Sequence, residues 1–230
     1  SDGDLKAEEL IRAVAQKGIK AVGITDHDTL EGIAPALASG DAAGVAVVPG
    51  VEISVRFQRP YFTGTLHVLT YFSRVLLGDK DFVSRFNALL AKGRGEGLVR
   101  ARIDRINAVF GPKGSEPRLD RALTFEDIAS YADNITRRHF ALALSEKFGI
   151  TDKNEINRII GNASPAYLPS GVALDNVAAF IKNEPVVAVL AHPAAGSFPG
   201  EGHYKEVLPP VETVETLLPE FLDAGVQGVE

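Results

Sequence analysis

The sequence predicts an α/β protein whose parallel or barrel-like core is interrupted by a helical insertion. Five short apolar segments have the composition of buried strands, and they lie near residues 21, 45, 66, 186 and 226. Helical patterns separate most of these segments, as expected for βα units. The stretch from 79 to 170 carries few strand signals and several helical stripes. We therefore expect a core part over 1–78, a helical insertion or lid over 79–170, and a second core part over 171–230.

Helices and strands alternate in the first part. The periodicity predicts a helix over 5–17, a strand over 21–25, a second helix ending at Gly44, and strands over 45–48 and 66–72. The second helix is expected to begin near Ala34. Pro35 then lies in the first turn, where proline is favourable, whereas in a helix interior it costs about 3 kcal/mol. Residues 57–64 are expected to form a loop or hairpin.

The insertion is predicted to be mainly helical, with a loop over 111–118. Its first two stripes are separated by Gly93, Gly95 and Gly97, and each glycine would cost about 1 kcal/mol inside a helix, so a weak or broken helix is expected there. Further helices are predicted over 124–132, 135–148 and 152–160. The core pattern then resumes with a helix over 174–182, a strand over 186–190, a helix over 213–224 and a strand from 225.

Composition narrows the classes of function. The chain of 230 residues contains no Cys, which excludes disulfides and thiolate chemistry and leaves His and carboxylates as metal ligands. The net charge of -6 argues against an electrostatic footprint on duplex DNA. The negative charge does not exclude a small phosphorylated substrate or the end of a nucleic-acid strand, because bound metal cations would make the local charge positive. No run of about 18 apolar residues occurs, so we expect no membrane span and a cytoplasmic protein.

Side chains that could bind metal follow several predicted strands. Asp26, His27 and Asp28 follow the first strand, and Glu52 and His192 follow two others. The carboxyl ends of barrel strands meet on one face, so these groups are expected to converge there. His67 lies within its strand, on the same face as Leu69 and Tyr71. Imidazole and carboxylate together suit Zn, Mn or Fe, and a carboxylate can bridge two ions for attack on phosphorus.

Simpler interpretations exist for individual residues. Asp28 with Glu31 fits a helix-capping box, which would make both purely structural. A single histidine in a strand, such as His67, is more often a hydrogen-bonded core group than a ligand. The pattern alone is therefore compatible with a polynuclear metal hydrolase without establishing one.

Five segments, taken in order, resemble the PHP (polymerase and histidinol phosphatase) family. They are Ser1-Asp2-Gly3, Thr25-Asp26-His27-Asp28, Pro49-Gly50-Val51-Glu52-Ile53-Ser54, His67, and Leu190-Ala191-His192-Pro193. The resemblance implies a distorted (β/α)7 barrel, incomplete at both termini here, with a three-metal phosphoesterase site. Residues 135–141 and 166–169 are similar to the subgroup of nucleoside-3',5'-bisphosphate phosphatases that also act as 5'-to-3' exoribonucleases on short RNA. The implied reaction is hydrolysis of nucleotide phosphate esters or RNA 5' ends by a metal-activated water.

The resemblance also implies roles for metal-binding residues. Glu52 would bridge two metals, and His67 and His192 would complete the shell of the second. Asp2 and His27 would belong to the third. The complete site would hold up to three divalent ions (Mn, Zn or Fe).

Other residues would act around the metals. Asp26 and Asp28 would shape the loop without binding metal. Arg137 and His139 would hold the substrate phosphate, since guanidinium suits bidentate phosphate binding. For Arg137 a solvated helix face is an almost equal alternative, and His139 could be a core contact. Tyr167 could stack on a base, although packing within the insertion is its more expected role.

Two ligand motifs of the family, His-X-His and Asp-X-His, do not occur in this sequence. The chain also lacks Met and begins with Ser1, so we expect a fragment that is inactive by itself and derives from an active phosphoesterase. Two other functions remain open. One is a histidinol-phosphatase-like or other small-molecule phosphatase, and the other is a noncatalytic PHP module that binds metal or a partner. Metal identity, exact substrate, oligomeric state and the presence of a signal peptide are not determined by the sequence.

Overall fold

A computed structural model describes residues 5–131, 135, 137–161, 163–195 and 209–230. The chain divides into two compact units. The first, called the core unit, comprises Ser1–Gly93 and Ser170–Glu230, and the second, called the helical unit, comprises Arg94–Pro169. No helix within the described residues is long and apolar enough to cross a membrane.

The core unit contains a mixed six-stranded sheet. Its strands are β1 (Ala21–Ile24), β2 (Ala46–Arg59), β3 (Phe62–Phe72), β4 (Val172–Ala173), β5 (Val186–Leu190) and β6 (Gly228–Val229). The order is β1-β2-β3-β5-β6, with β4 paired to β2. The β1–β2, β2–β4 and β5–β6 pairs are parallel, whereas β3 runs antiparallel to both β2 and β5.

The expectation of parallel pairing is therefore wrong for β3. A turn of only two residues, Pro60 and Tyr61, connects β2 to β3, and so short a connection can join only antiparallel strands. The expected loop or hairpin over 57–64 is the tip of this hairpin. The strand predicted over 45–48 is also much longer, because β2 continues to Arg59.

Residues along β2 alternate between two environments. One face carries apolar side chains that are at most 1% exposed, namely Val51, Ile53, Val55 and Phe57. The other face carries polar side chains, namely Glu52, Ser54, Arg56 and Gln58. This period-two pattern anchors the strand on the core and presents its polar face away from the core. We call this second face of β2 and β3 the polar face.

Five α-helices within the described residues belong to the core unit. They are α1 (Ala7–Gln16), α2 (Ile33–Ala43), α3 (Lys80–Ala91), α8 (Leu174–Asn183) and α9 (Val211–Ala224), with a 3-10 turn at Arg74–Gly78. Helix α2 starts one residue before the predicted position and places Pro35 in its first turn, as predicted. It ends at Gly44, whose φ of 67° lies in the left-handed region that glycine adopts readily.

Helix α3 lies in the core unit, although the helical insertion was predicted to begin at residue 79. Its Phe82 and Phe86 are fully buried, and their rings lie 5.2 and 5.7 Å from that of Phe72 on β3. The Phe86 ring also lies 4.7 Å from that of Phe180 on α8. This aromatic packing places α3 with the sheet.

The helical unit contains α4 (Gly95–Phe110), α5 (Phe125–Ala129), α6 (Arg137–Phe148) and α7 (Lys153–Ile160). The predicted break among the glycines is confirmed, because α3 ends at Ala91 and α4 begins at Gly95. The unit has its own apolar cluster, which includes Phe110, Ile128, Phe140, Leu144 and Ile159. Caps define two helix starts: Thr124 accepts from the Asp127 N–H, and Asp152 accepts from the N–H groups of Asn154 and Glu155.

Candidate metal centre

Four side chains converge on the polar face of the core unit. His27 follows β1, Glu52 lies on β2, His67 lies on β3, and His192 follows β5. The Oε1 atom of Glu52 lies 3.0 Å from His192 Nε2 and 3.5 Å from His67 Nδ1. Its Oε2 atom lies 3.8 Å from His27 Nε2. The two carboxylate oxygens therefore face different imidazoles.

The sheet register explains how distant residues meet. His27 forms a parallel bridge with Glu52, in which Asp28 N–H donates to the Glu52 carbonyl at 3.0 Å and Glu52 N–H donates to the Asp26 carbonyl at 3.2 Å. Ser54 pairs with His67 across the hairpin, which places His67 diagonally to Glu52 on the same face.

The remaining histidine is placed by a backbone contact. The N–H of Ala191 donates to the His67 carbonyl at 3.0 Å, which holds His192 at the end of β5. The ring nitrogens His67 Nδ1 and His192 Nε2 are then only 3.1 Å apart.

Backbone strain is concentrated at this cluster. Among the described non-glycine residues, only Asp28 and His192 have positive φ, at 50° and 32°. Such conformations cost free energy and persist where surrounding contacts hold them. Asp28 Oδ1 accepts from the Ser54 N–H at 2.9 Å, and the His192 N–H donates to Glu230 Oε2 at 3.2 Å. Both strained residues are thus held by contacts to other strands or their ends.

Charges in the cluster favour an ionised carboxylate. Burial opposes ionisation of Glu52, but the hydrogen bond from His192 and the charges of His27 and His67 outweigh it and lower the pKa of Glu52. The hydrogen bond to Glu52 in turn raises the pKa of His192, although burial opposes this effect.

The donor set fits a divalent cation. The candidate ligand atoms of His27, Glu52 and His67 all lie within 4.8 Å of one another, and His192 contacts two members of the group. Three imidazoles around one carboxylate are a combination that Zn, Mn and Fe accept. The metal-ligand roles of these residues stay predictions, and Asp2, the fifth predicted ligand, lies outside the described residues.

The aspartates flanking His27 make structural contacts. Asp28 bonds Ser54, as above, and does not cap α2, whose N-cap position is Gly32 without a side-chain bond. The capping-box interpretation of Asp28 is therefore wrong. The Asp26 carboxylate lies over Gly32, where a Cβ atom would approach Asp26 Oδ2 to 2.1 Å. Both contacts agree with the loop-shaping role predicted for these residues, which stays a prediction.

The predicted phosphate-binding residues lie in the helical unit. Arg137 and His139 begin α6, and the Arg137 guanidinium lies 5.8 Å from the ring centroid of Tyr167. The Arg137 side chain lines a solvent-open cleft of about 350 Å³ within this unit, together with Arg102, Tyr167 and apolar side chains. The substrate-binding roles of Arg137 and His139 stay predictions.

Sequence reasoning missed two residues next to the cluster. Glu230 follows the apolar end of β6 much as His192 follows β5, so the same signal could have identified it. Its carboxylate accepts from the His192 N–H. Tyr71 lies on the polar face, two residues after Leu69 in the sequence. Burial, together with the negative charges of Glu230 and Glu52, raises the pKa of its hydroxyl. Tyr71 also contacts Gly50, where a Cβ would lie 2.9 Å from its ring.

Comparison with known proteins supports the predicted family. A family model described as the PHP domain matches residues 1–77, the segment that supplies His27, Glu52 and His67. The match covers 77 of the 230 residues, so the predicted resemblance to the PHP family is shown over the first third of the chain. The predicted resemblance and the α/β fold class are thereby confirmed.

Two relatives match over the full length of this chain. A 3',5'-nucleoside bisphosphate phosphatase from Chromobacterium violaceum is 28% identical over 232 residues, which cover 100% of this chain and 72% of the relative. A 5'-3' exoribonuclease from Haemophilus influenzae is 25% identical over 232 residues, covering 100% of this chain and 74% of the relative.

A solved structure extends the comparison. An amidohydrolase from Chromobacterium violaceum, crystallised with bound sulfate and no metal, superimposes with a TM-score of 0.54 at 26% identity. The match covers 100% of this chain and 72% of that structure. The core strands and the inserted helices are therefore both within the matched length.

Proposed function

We propose that this protein is a metal-dependent phosphoesterase that hydrolyses phosphate esters of nucleotides, such as 3',5'-bisphosphonucleotides, or the 5' ends of short RNA. The observation that carries the proposal is the convergence of His27, His67 and His192 on the Glu52 carboxylate. The two relatives that match over the whole of this chain are named a nucleoside bisphosphate phosphatase and an exoribonuclease, and these names support the same reaction class and substrates.

The arrangement of Glu52 supports a bridging role. Its Oε1 lies near the imidazoles of His67 and His192, whereas its Oε2 lies near that of His27. The two oxygens could therefore bind different ions. We assign Glu52 to two of up to three divalent ions (Mn, Zn or Fe), His67 and His192 to one of them, and His27 to another. When bound, such ions would lower the pKa of a coordinated water and neutralise charge on the phosphoryl oxygens.

The protein residues around the cluster hold these side chains in place. Asp28 fixes the loop after β1 through its bond to the Ser54 N–H, and Glu230 fixes the backbone at His192. Arg137 and His139 are proposed to bind a substrate phosphate from the helical unit. Because a metal-activated water would serve as nucleophile, no side-chain nucleophile is required.

A substrate panel tests the reaction. Adenosine 3',5'-bisphosphate, a short 5'-phosphorylated RNA and histidinol phosphate are incubated side by side with the full-length protein and Mn²⁺, and released phosphate or nucleotide is measured. We expect turnover of the bisphosphate or the RNA. Turnover of histidinol phosphate alone would instead indicate the small-molecule phosphatase, and no turnover of any substrate would indicate the noncatalytic module.

Metal content provides a second test of the site. Glu52→Gln keeps the size of the side chain but removes its charge and one anionic oxygen, so we expect it to lose more bound metal than Asp28→Asn. Asp28 is the matched control because its carboxylate contacts the Ser54 N–H in the same site. Metal per protein chain is measured by mass spectrometry after dialysis. Equal metal content in the two variants would contradict the bridging assignment.

A further inference from the structure

Arg56 is a cation on the polar face of β2. It lies two residues beyond Ser54 and four beyond Glu52, so it shares their side of the strand. Four residues of extended strand correspond to about 13 Å between the Cα atoms. On the neighbouring strand it pairs with Thr65, two residues before His67. Arg56 thus lies on the same surface as the candidate metal centre, displaced along the strand.

The guanidinium of Arg56 is half-buried without an anionic partner. Its one hydrogen bond among the described residues runs from Nη1 to the Gly171 carbonyl at 2.9 Å. No carboxylate of the described chain forms an ion pair with it, whereas Arg59 on the opposite face pairs with Glu220. Burial accordingly lowers the pKa of Arg56. A partly desolvated cation without a counter-charge attracts an anion strongly.

A purely structural role does not require this arginine. The segment that Arg56 contacts is already held by two other bonds: Thr65 Oγ1 donates to the Ser170 carbonyl at 2.9 Å, and the Gly171 N–H donates to the Gly93 carbonyl at 3.0 Å. A neutral donor would satisfy the Gly171 carbonyl equally well. The charge and the four remaining N–H donors of Arg56 are therefore not explained by anchoring this segment.

We propose that Arg56 binds a second anionic group of the substrate while the phosphate to be cleaved lies at the Glu52 cluster. This inference rests on the proposed phosphoesterase function and refines it, since it favours substrates with two phosphates, such as a nucleoside 3',5'-bisphosphate, over those with one. The guanidinium provides the geometry for bidentate contact with phosphate oxygens.

The test compares two substrates in the full-length, metal-loaded enzyme. KM is measured for adenosine 3',5'-bisphosphate and for adenosine 3'-monophosphate. In Arg56→Gln the KM for the bisphosphate, divided by the KM for the monophosphate, is expected to rise by about 10-fold to 100-fold. This is the usual effect of removing a hydrogen-bonded charge. Arg56→Lys keeps the charge but not the fork geometry, so an intermediate shift is expected.

Two control variants separate binding from structure and from net charge. Thr65→Val removes the neighbouring bond to Ser170 without changing charge, and Arg74→Gln removes an equal charge from the exposed pair with Asp41. Both should keep the wild-type KM ratio. The proposal is overturned if Arg56→Gln also keeps that ratio, or if Thr65→Val shifts it as much.

The outcome remains decisive if the protein hydrolyses neither nucleotide. The proposed function would then have failed, and both nucleotides can be titrated into the metal-loaded protein by calorimetry without turnover. A 10-fold to 100-fold loss of bisphosphate affinity in Arg56→Gln, relative to the monophosphate, would still support the anion site. Equal affinities in wild type and variant would overturn it.

Discussion

Replacing Asp127 by Asn should destabilise the helical unit at neutral pH and have a much smaller effect in acid. The Asp127 carboxylate accepts two bonds from Arg121, at 2.7 and 2.9 Å, and one from the Thr124 N–H at 3.0 Å. The Arg121 guanidinium is the largest influence and, together with Thr124, outweighs burial to lower the pKa of Asp127 from 3.8 to about 2. Asn keeps the shape and an acceptor oxygen but not the charge.

The magnitude follows from proton linkage. A carboxyl whose pKa is lower in the folded state stabilises that state above the unfolded pKa, and the contribution is lost as pH falls through the folded pKa. The change from 3.8 to about 2 corresponds to at most about 2.4 kcal/mol. Because the Arg121 side chain is 47% exposed and therefore screened by solvent, we expect about 1–2 kcal/mol at neutral pH.

Urea unfolding followed by circular dichroism measures this difference, which suits a chain without Trp. Wild type and Asp127→Asn are compared at several pH values between about 7 and 2, and the gap in unfolding free energy should close as pH falls below about 4. Glu126→Gln is the matched control, since Glu126 is an exposed neighbour in the same helical turn. A gap that stays constant down to about pH 2 would refute the reasoning.

Two further substitutions test the core unit. The Thr70 hydroxyl is fully buried and has no hydrogen-bond partner in the described structure, so Thr70→Val should stabilise the protein by about 1 kcal/mol, while the exposed Thr63→Val should change little. A lower urea midpoint for Thr70→Val would contradict this. Gly171 has a φ of 105° and would place a Cβ 2.6 Å from a backbone oxygen, so Gly171→Ala should cost about 2 kcal/mol or more. Gly78→Ala, where a Cβ meets no atom within 4 Å, is the control, and equal midpoints for the two alanine variants would exclude the predicted strain.

Local sequence patterns predicted the elements well where a strong period or a breaking residue was present. The β5 strand has the predicted bounds, 186–190, because it is a continuous apolar run that follows Pro185. The break between α3 and α4 followed from the conformational cost of glycine in helices. These features depend on neighbouring residues and are therefore readable from the chain itself.

The same patterns could not predict which elements pair or pack together. The direction of β3 depends on the length of the turn at Pro60 and Tyr61, which the expected loop or hairpin over 57–64 left undetermined. The placement of α3 depends on contacts of Phe82 and Phe86 with Phe72, which precedes them, and with Phe180, about a hundred residues later. Periodicity identifies an apolar face but not its partner.

The candidate site shows the same division. The sequence by itself determined that His27, Glu52 and His192 come shortly after apolar segments and that His67 shares a face with Leu69 and Tyr71, because these facts depend only on order and on the two-residue period of a strand.

Only the tertiary structure decided that the two oxygens of Glu52 face different histidines, that Glu230 holds the backbone of His192, and that Arg56 lacks a counter-charge among the described residues. These are relations between strands whose register is set by long-range pairing and core packing, and no local pattern encodes them.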